Sequence, residues 1–238
     1  MGLEITPVDA ALPTVLAPTP PAVDPTHPPL DAEAELDRQI DTLVAFGVPA
    51  LVGTDEAGFR TAVAPLRALL PDGAVPPGVP PEDHVPFVLV VPTDINTAVP
   101  AMRRGDRRGV SVIGPDEAAG YRPLAGIDVP GGVGYLLTGI DTGSEFRGVP
   151  PAQALVTIRD RNRTPLTMTE GVALVTVRPD MLRPNRCFSL MASRADNQRV
   201  PAIWISRNRP KLGWCWDRNP HTWLGAASAR ARVGVDVQ

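Results

Sequence analysis

Residues 185–224, NRCFSLMASRADNQRVPAIWISRNRPKLGWCWDRNPHTWL, hold all four tryptophans (Trp204, Trp214, Trp216, Trp223), both cysteines (Cys187, Cys215) and the only lysine, Lys211. Period-two alternation of apolar residues between turn residues is the pattern of β-strands. It occurs three times here, over 185–193, 200–206 and 211–216. Asp196 and Asn197 fall in the first connection, Asn208 and Pro210 in the second, and both have turn chemistry. The stretch therefore predicts a three-stranded antiparallel meander. Pairing Ser193 with Val200 and Ser206 with Lys211 sets Leu190 against Ile203, Phe188 against Ile205, and Ile203 against Trp214. One face then collects Phe188, Leu190, Ala192, Ile203, Ile205, Leu212, Trp214 and Trp216, and a one-residue slip would scatter that set over both faces. This face is expected to be core. The other carries Cys187, Ser189, Met191, Ala202, Trp204, Ser206, Lys211, Gly213, Cys215 and Asp217, with the Trp204 indole over the bare backbone of Gly213.

Upstream, 150–161 and 169–182 read as helices that cover a face of the meander, and Thr167-x-x-Glu170 is a candidate capping box. A strand at 135–140 follows Gly131-Gly132-Val133-Gly134. That run lacks the helix and spacing of a phosphate cradle and reads as a turn. Strands at 86–91 and 110–113 flank a helix at 95–104, interrupted at Pro100, and a crossover of that length suits a parallel pair. The cluster Arg103, Arg104, Arg107 and Arg108 reads as a solvated turn. Residues 31–46 predict an amphipathic helix capped by Asp31 and stopped at Gly47. A second helix starts at Thr54 and must kink or split at Pro65. Residues 1–30 contain eight prolines and no periodicity, the composition of a disordered or extended tail. The fold class is α+β: a tail over 1–30, a helical hairpin over 31–70, a Pro/Gly linker over 71–85, and a domain over 86–238. That domain combines a small central sheet, two helices and the C-terminal meander.

With 43% apolar residues in 238, the chain can bury a core, which excludes global disorder. Its basic residues are 22 arginines and one lysine, so a single arginine carries little weight. Charge is uneven: residues 1–60 have ten acidic against two basic groups, and 178–232 have eleven basic against three acidic. The two cysteines would sit about 15 Å apart on outer strands, too far to bridge. Residues 1–10 lack signal-peptide organisation and no apolar run reaches spanning length, so a cytoplasmic protein without membrane contact is expected.

The segments TPLTMTEGVALVTVRPDML (164–182), FSLMASR (188–194) and RVPAIWISRNRPKLGWCWDRNPHTWLGAAS (199–228) resemble an actinobacterial family of unknown function. The resemblance extends through YLLTGIDTGSEF (135–146) to the helical hairpin at 35–70, and GWCWDRNPHTWLG (213–225) is its most specific part. It implies a shared fold and carries over no activity, cofactor or catalytic residue.

Three constellations have chemical meaning. Cys215, Asp217 and His221 supply a thiol, an orienting acid and a base within seven residues, although a thiol between two tryptophans on a strand is usually inert packing. Asp141-Thr142-Gly143-Ser144 has the form of an aspartic-protease signature, with Trp223-Leu224-Gly225 downstream. That chemistry needs two carboxylates sharing a proton, the second of which a homodimer would have to supply, and Asp-Thr-Gly is also ordinary turn chemistry. Cys187, Cys215, His84 and His221 lack zinc spacing, so no metal or other cofactor is expected. The third set is Arg207, Arg209, Lys211 and Arg218 with Trp204, His221 and Trp223. Guanidinium groups beside aromatic rings suit phosphate or carboxylate contact together with stacking. The expectation is a non-catalytic binding protein for an anionic small molecule, peptide or nucleic acid. The rival is a hydrolase or transferase using Cys215, Asp217 and His221.

Overall fold

The computed structural model describes residues 31–235, so the expectation of a tail over 1–30 lies outside it. The first half of the chain runs α1 (Ala32–Ala45), α2 (Val48–Leu51), α3 (Glu56–Val63), β1 (His84–Val90), α4 (Ile95–Ala98), β2 (Arg103–Arg104), β3 (Arg107–Arg108), β4 (Val110–Ser111), α5 (Pro115–Gly120) and β5 (Arg122–Pro123). The second half runs β6 (Tyr135–Asp141), α6 (Pro151–Asp160), β7 (Thr164–Pro165), α7 (Met168–Val177), β8 (Cys187–Ser189), β9 (Ser193–Arg194), β10 (Arg199–Ser206), β11 (Arg209–Trp216), β12 (Leu224–Ala226), β13 (Ser228–Ala229) and β14 (Ala231–Val233). The fold is α+β, with N-terminal helices, antiparallel pairings and C-terminal strands. One sheet has the order β1-β6-β13-β7, with β14 also on β6; the other is β12-β8-β10-β11-β4.

The N-terminal helices form where their caps predict. Asp31 accepts from the Ala34 N–H at 2.8 Å, and Leu36, Ile40 and Leu43 turn one face into the core. Burying each such side chain is worth about 1.5–3 kcal/mol. Pro65 ends the α-helical part of the second helix: α3 stops at Val63 and a 3-10 turn, Ala64–Leu69, carries Leu66 into the core. Missing backbone donation at proline forces that change. The acidic excess here is matched locally, since Arg60 pairs with Asp41 and Glu56, and Arg67 with Asp37 and Glu33.

Gln39 solves the problem of an open sheet edge. β1 is terminal in its sheet, and unpaired edge groups are costly when buried. The fully buried Gln39 amide donates to the Phe87 carbonyl (3.1 Å) and accepts from the Leu89 N–H (2.7 Å). It stands in for a missing strand. Gln39→Leu leaves both backbone groups buried without partners and is expected to cost about 1–3 kcal/mol in denaturant unfolding. An unchanged midpoint would show that water reaches the β1 edge.

Helix α7 is the centre of the molecule. It is apolar almost all round, the pattern of a helix enclosed by protein, and eight of its ten residues are buried. It packs against β1 of one sheet and β10 of the other. Gly171 lets the helix pack closely on Leu190, the residue after β8, because a Cβ there would lie 2.3 Å from Leu190 Cδ2. The capping box is complete: the Glu170 N–H donates to Thr167 Oγ1, and the Thr167 N–H to Glu170 Oε2. At the other end Arg38 Nη2 donates to the Val177 carbonyl, a basic group on an unsatisfied helix terminus.

The meander is present as β8, β10 and β11 in the expected order, but its register differs by two residues. Phe188 lies opposite Ile203, and Ile203 opposite Leu212, where Leu190 and Trp214 were expected. For the β10–β11 pair the cause is the connecting turn. Arg207 and Asn208 both adopt left-handed φ, 49° and 59°, which makes a two-residue hairpin turn of the type that matches strand twist. Ser206 therefore pairs with Arg209 rather than Lys211. A shift of two preserves the faces, so Phe188, Leu190, Ala192, Ile203 and Leu212 are all fully buried. The face ends sooner than expected: Trp214 is half-buried and Trp216 is 45% exposed. There Arg199 lies over the Trp214 ring at 3.9 Å while pairing with Glu117.

Two other expectations change. The segments 86–91 and 110–113 are not a parallel pair. β1 is antiparallel to β6, and β4 joins β11 of the other sheet in parallel. The expected helix at 95–104 is only α4 followed by a 3-10 turn, after which the arginines form the β2–β3 hairpin.

Candidate anion-binding site

The arginines sort into two groups. Ten of the 22 make ion pairs among the described residues. Within the basic C-terminal stretch the paired ones are Arg178, Arg183, Arg186, Arg194, Arg199 and Arg232. Arg207, Arg209 and Lys211 at the β10–β11 turn have no such partner among the described residues, and neither do Arg103, Arg104, Arg107 and Arg108 on β2–β3. These two groups meet. Arg104 Nε donates to Asn208 Oδ1 at 2.9 Å, and Arg107 Nη1 to the Arg207 carbonyl at 3.2 Å. Two hairpins about a hundred residues apart in sequence thus dock into one basic ridge. Arg103 is its anchor: it is buried, lies over the Phe46 ring at 5.1 Å, and burial and then Arg108 hold its pKa below the ordinary value.

A groove adjoins the ridge. Pro184, Asn185, Cys187, Trp204, Ile205 and Trp223 line a cavity of about 300 Å³, within the range of small-ligand sites. The Trp204 and Trp223 rings are 6.1 Å apart and inclined at 60°, and His221 lies 5.2 Å from Trp223. Gly213 seats the Trp204 indole as expected, since a Cβ there would be 2.3 Å from its Cη2. Lys211 is buried with its ammonium 5.3 Å from the Trp204 ring centre, a cation–π arrangement. Burial, then Arg207, pushes its pKa down. Burial also raises the Cys187 thiol, which the Ile205 backbone and Arg104 partly offset.

The sequence-chosen set is brought together only in part. Trp204, Arg207, Arg209, Lys211, His221 and Trp223 cluster at the ridge and groove. Arg218 follows the opposite end of β11 and is exposed there. Arg104, Arg107 and Arg108 belong with the ridge rather than to a solvated turn. Their long-range docking has no local periodic signal.

Cys215, Asp217 and His221 are adjacent in sequence but differently engaged. Burial raises the Cys215 thiol to about 12. Asp217 pairs with Arg194 at 2.8 Å, and His221 stacks on Trp223. Both cysteines are free and buried. Native Cys215 is expected to resist iodoacetamide at about pH 7.5, because the thiolate is the reactive species. Rapid alkylation that rises through neutral pH would contradict this account of the thiol.

The Asp141 loop is a buried turn. The Gly143 N–H donates to Asp141 Oδ1 at 2.7 Å, and Gly143 is left-handed with φ 69°. The loop abuts the stretch after Trp223, where a Cβ on Gly143 would lie 1.9 Å from the Ala226 carbonyl oxygen. A second carboxylate, Asp83, comes from within the same chain. It is fully buried, accepts from Ser144 Oγ and is ion-paired with Arg183 and Arg186. Those partners occupy it, which differs from the proton-sharing pair of an aspartic protease. Among the described residues no group of three His, Cys, Asp or Glu is placed to hold a metal ion, and no helix is long and apolar enough to cross a membrane.

Residues 42–235 match the model of a family described only as being of unknown function. No curated protein and no solved structure matches the chain.

Proposed function

We propose that this chain, which belongs to that family of unknown function (DUF5701), is a non-catalytic binding protein for an anionic partner with flat rings, of the class of nucleotides and single-stranded nucleic acid. The observation that carries this reading is the joining of two hairpins whose cations lack carboxylate partners among the described residues, beside the Trp204–Trp223 groove. Folding places like charges together against their mutual repulsion, and an external anion relieves it. Arg104, Arg107, Arg207 and Arg209 would take phosphates, and a ring would lie in the groove against the exposed side of Trp204 or Trp223. Base stacking on an aromatic side chain is worth about 1–3 kcal/mol. The raised Cys215 thiol and the separate engagement of Asp217 and His221 favour binding over nucleophilic catalysis. An arginine-rich, lysine-poor chain fits an actinobacterial source, and a cytoplasmic location belongs to the same reading.

Titration with a short single-stranded oligonucleotide is expected to quench tryptophan fluorescence. The quench should shrink in Trp223→Phe and persist in Trp216→Phe. An acidic peptide that competes equally would make charge alone the recognised feature and remove the role of the ring.

A further inference from the structure

A second cavity lies apart from the ridge, and three arginines converge on it. Its volume is about 510 Å³, and its walls are the Pro/Gly segment 74–79, the turn Arg161-Asn162-Arg163, Arg230, and Asp141 at the end of β6. We infer that this cavity binds a small oxyanion-bearing molecule that also carries a hydroxyl, with Arg163 and Arg230 holding the oxyanion and Asp141 accepting from the hydroxyl.

The geometry is built rather than loose. Asn162 takes left-handed φ, 54°, after the last turn of α6, and this reverses the chain between Arg161 and Arg163. Arg163 is fixed by three hydrogen bonds, none to a carboxylate: Nε to Ser228 Oγ (2.8 Å), Nη2 to the Gly139 carbonyl (2.7 Å) and Nη2 to the Ser228 carbonyl (3.2 Å). Nη1 has no acceptor among the described residues. Arg230 crosses the sheet at Gly139, whose left-handed φ of 57° favours glycine and where a Cβ would lie a tight 3.0 Å from Arg230 Cβ. Its guanidinium also lacks an acceptor among the described residues. Arg161 differs, being held by Glu145 at 2.5 Å. Asp141 uses Oδ1 for the Gly143 N–H, which leaves Oδ2 for a ligand donor. Two guanidinium edges and one carboxylate oxygen thus face one cavity of small-molecule size. A purely solvated arginine has no need of the three hydrogen bonds that fix Arg163.

The inference is independent of the hairpin ridge. The full chain is titrated by calorimetry, in a buffer free of oxyanions, with inorganic phosphate and with glycerol 3-phosphate. One saturable site is expected, tighter for glycerol 3-phosphate. Arg230→Ala, at an exposed position, should weaken both probes at least about tenfold, because one of two charge-assisted contacts is lost. Asp141→Ala should abolish the preference for glycerol 3-phosphate. Arg218→Ala, outside both the cavity and the ridge, should leave binding unchanged. No saturable binding of either probe, an Arg230→Ala protein that binds like the parent, or loss of binding in Arg218→Ala would each overturn the inference.

Discussion

Arg232→Ala is expected to destabilise the protein by about 3–5 kcal/mol, the cost of leaving one member of a buried ion pair without its partner. Arg232 and Glu170 are 5% and 0% exposed in their side chains. Arg232 Nε and Nη2 donate to Glu170 Oε1 and Oε2 at 2.6 and 2.8 Å. The same guanidinium reaches Thr164 Oγ1 (2.6 Å) and the Pro165 carbonyl (2.9 Å). Tyr135 Oη donates to Glu170 Oε1 at 2.9 Å, and burial with the nearby carboxylate holds its phenol above the ordinary pKa. One ion pair therefore ties β14 and β7 to β6 and the start of α7. Thermal unfolding should fall by about 6–20 °C, since 1 kcal/mol corresponds to about 2–4 °C at this size. The double variant Arg232→Met with Glu170→Gln should recover part of the loss, because the cost lies mainly in the stranded charge. A drop below about 1 kcal/mol in Arg232→Ala would mean that water reaches Glu170.

Removing charge from the ridge should have the largest effect on binding. The triple variant Arg104→Ala, Arg107→Ala, Arg207→Ala is expected to bind a single-stranded oligonucleotide about a hundredfold more weakly at about 50 mM salt. Each phosphate contact contributes about 0.7 to the slope of log K against log salt for single strands, so the variant's slope should be shallower by about 2. Among the described residues Arg104 and Arg107 bond only to Asn208 and the Arg207 carbonyl across the docked hairpins, and all three side chains lie at the surface or partly so. Stability should therefore change little. An unchanged slope with unchanged affinity would place the anion elsewhere.

Local chemistry made much of this fold legible. The Thr167–Glu170 capping box, the Asp31 cap and the change of helix type at Pro65 are each set by a few neighbouring residues, and each is present. The two faces of the meander were legible from alternation, but the register was not. Pro210 suggested a longer loop, yet in a two-residue hairpin it pairs with Ile205 at a position that needs no N–H toward β10. Parity survived because the error was even. Pairings made over long sequence distances escaped local reading, including β4 beside β11 and the C-terminal strands beside β6. The site follows the same division. The aromatic groove and the β10–β11 cations were visible as composition. The contribution of Arg104 and Arg107 depends on a docking of hairpins that no spacing in the sequence marks.

On this reading the ridge and groove bind an anionic partner. The most direct test is equilibrium binding of a fluorescein-labelled single-stranded oligonucleotide to the full chain, followed by anisotropy at about 20 mM and then at about 150 mM salt. The account predicts saturable binding at low salt that weakens steeply, by tenfold or more, at the higher concentration. Absence of binding at about 20 mM, or binding indifferent to salt, would contradict it.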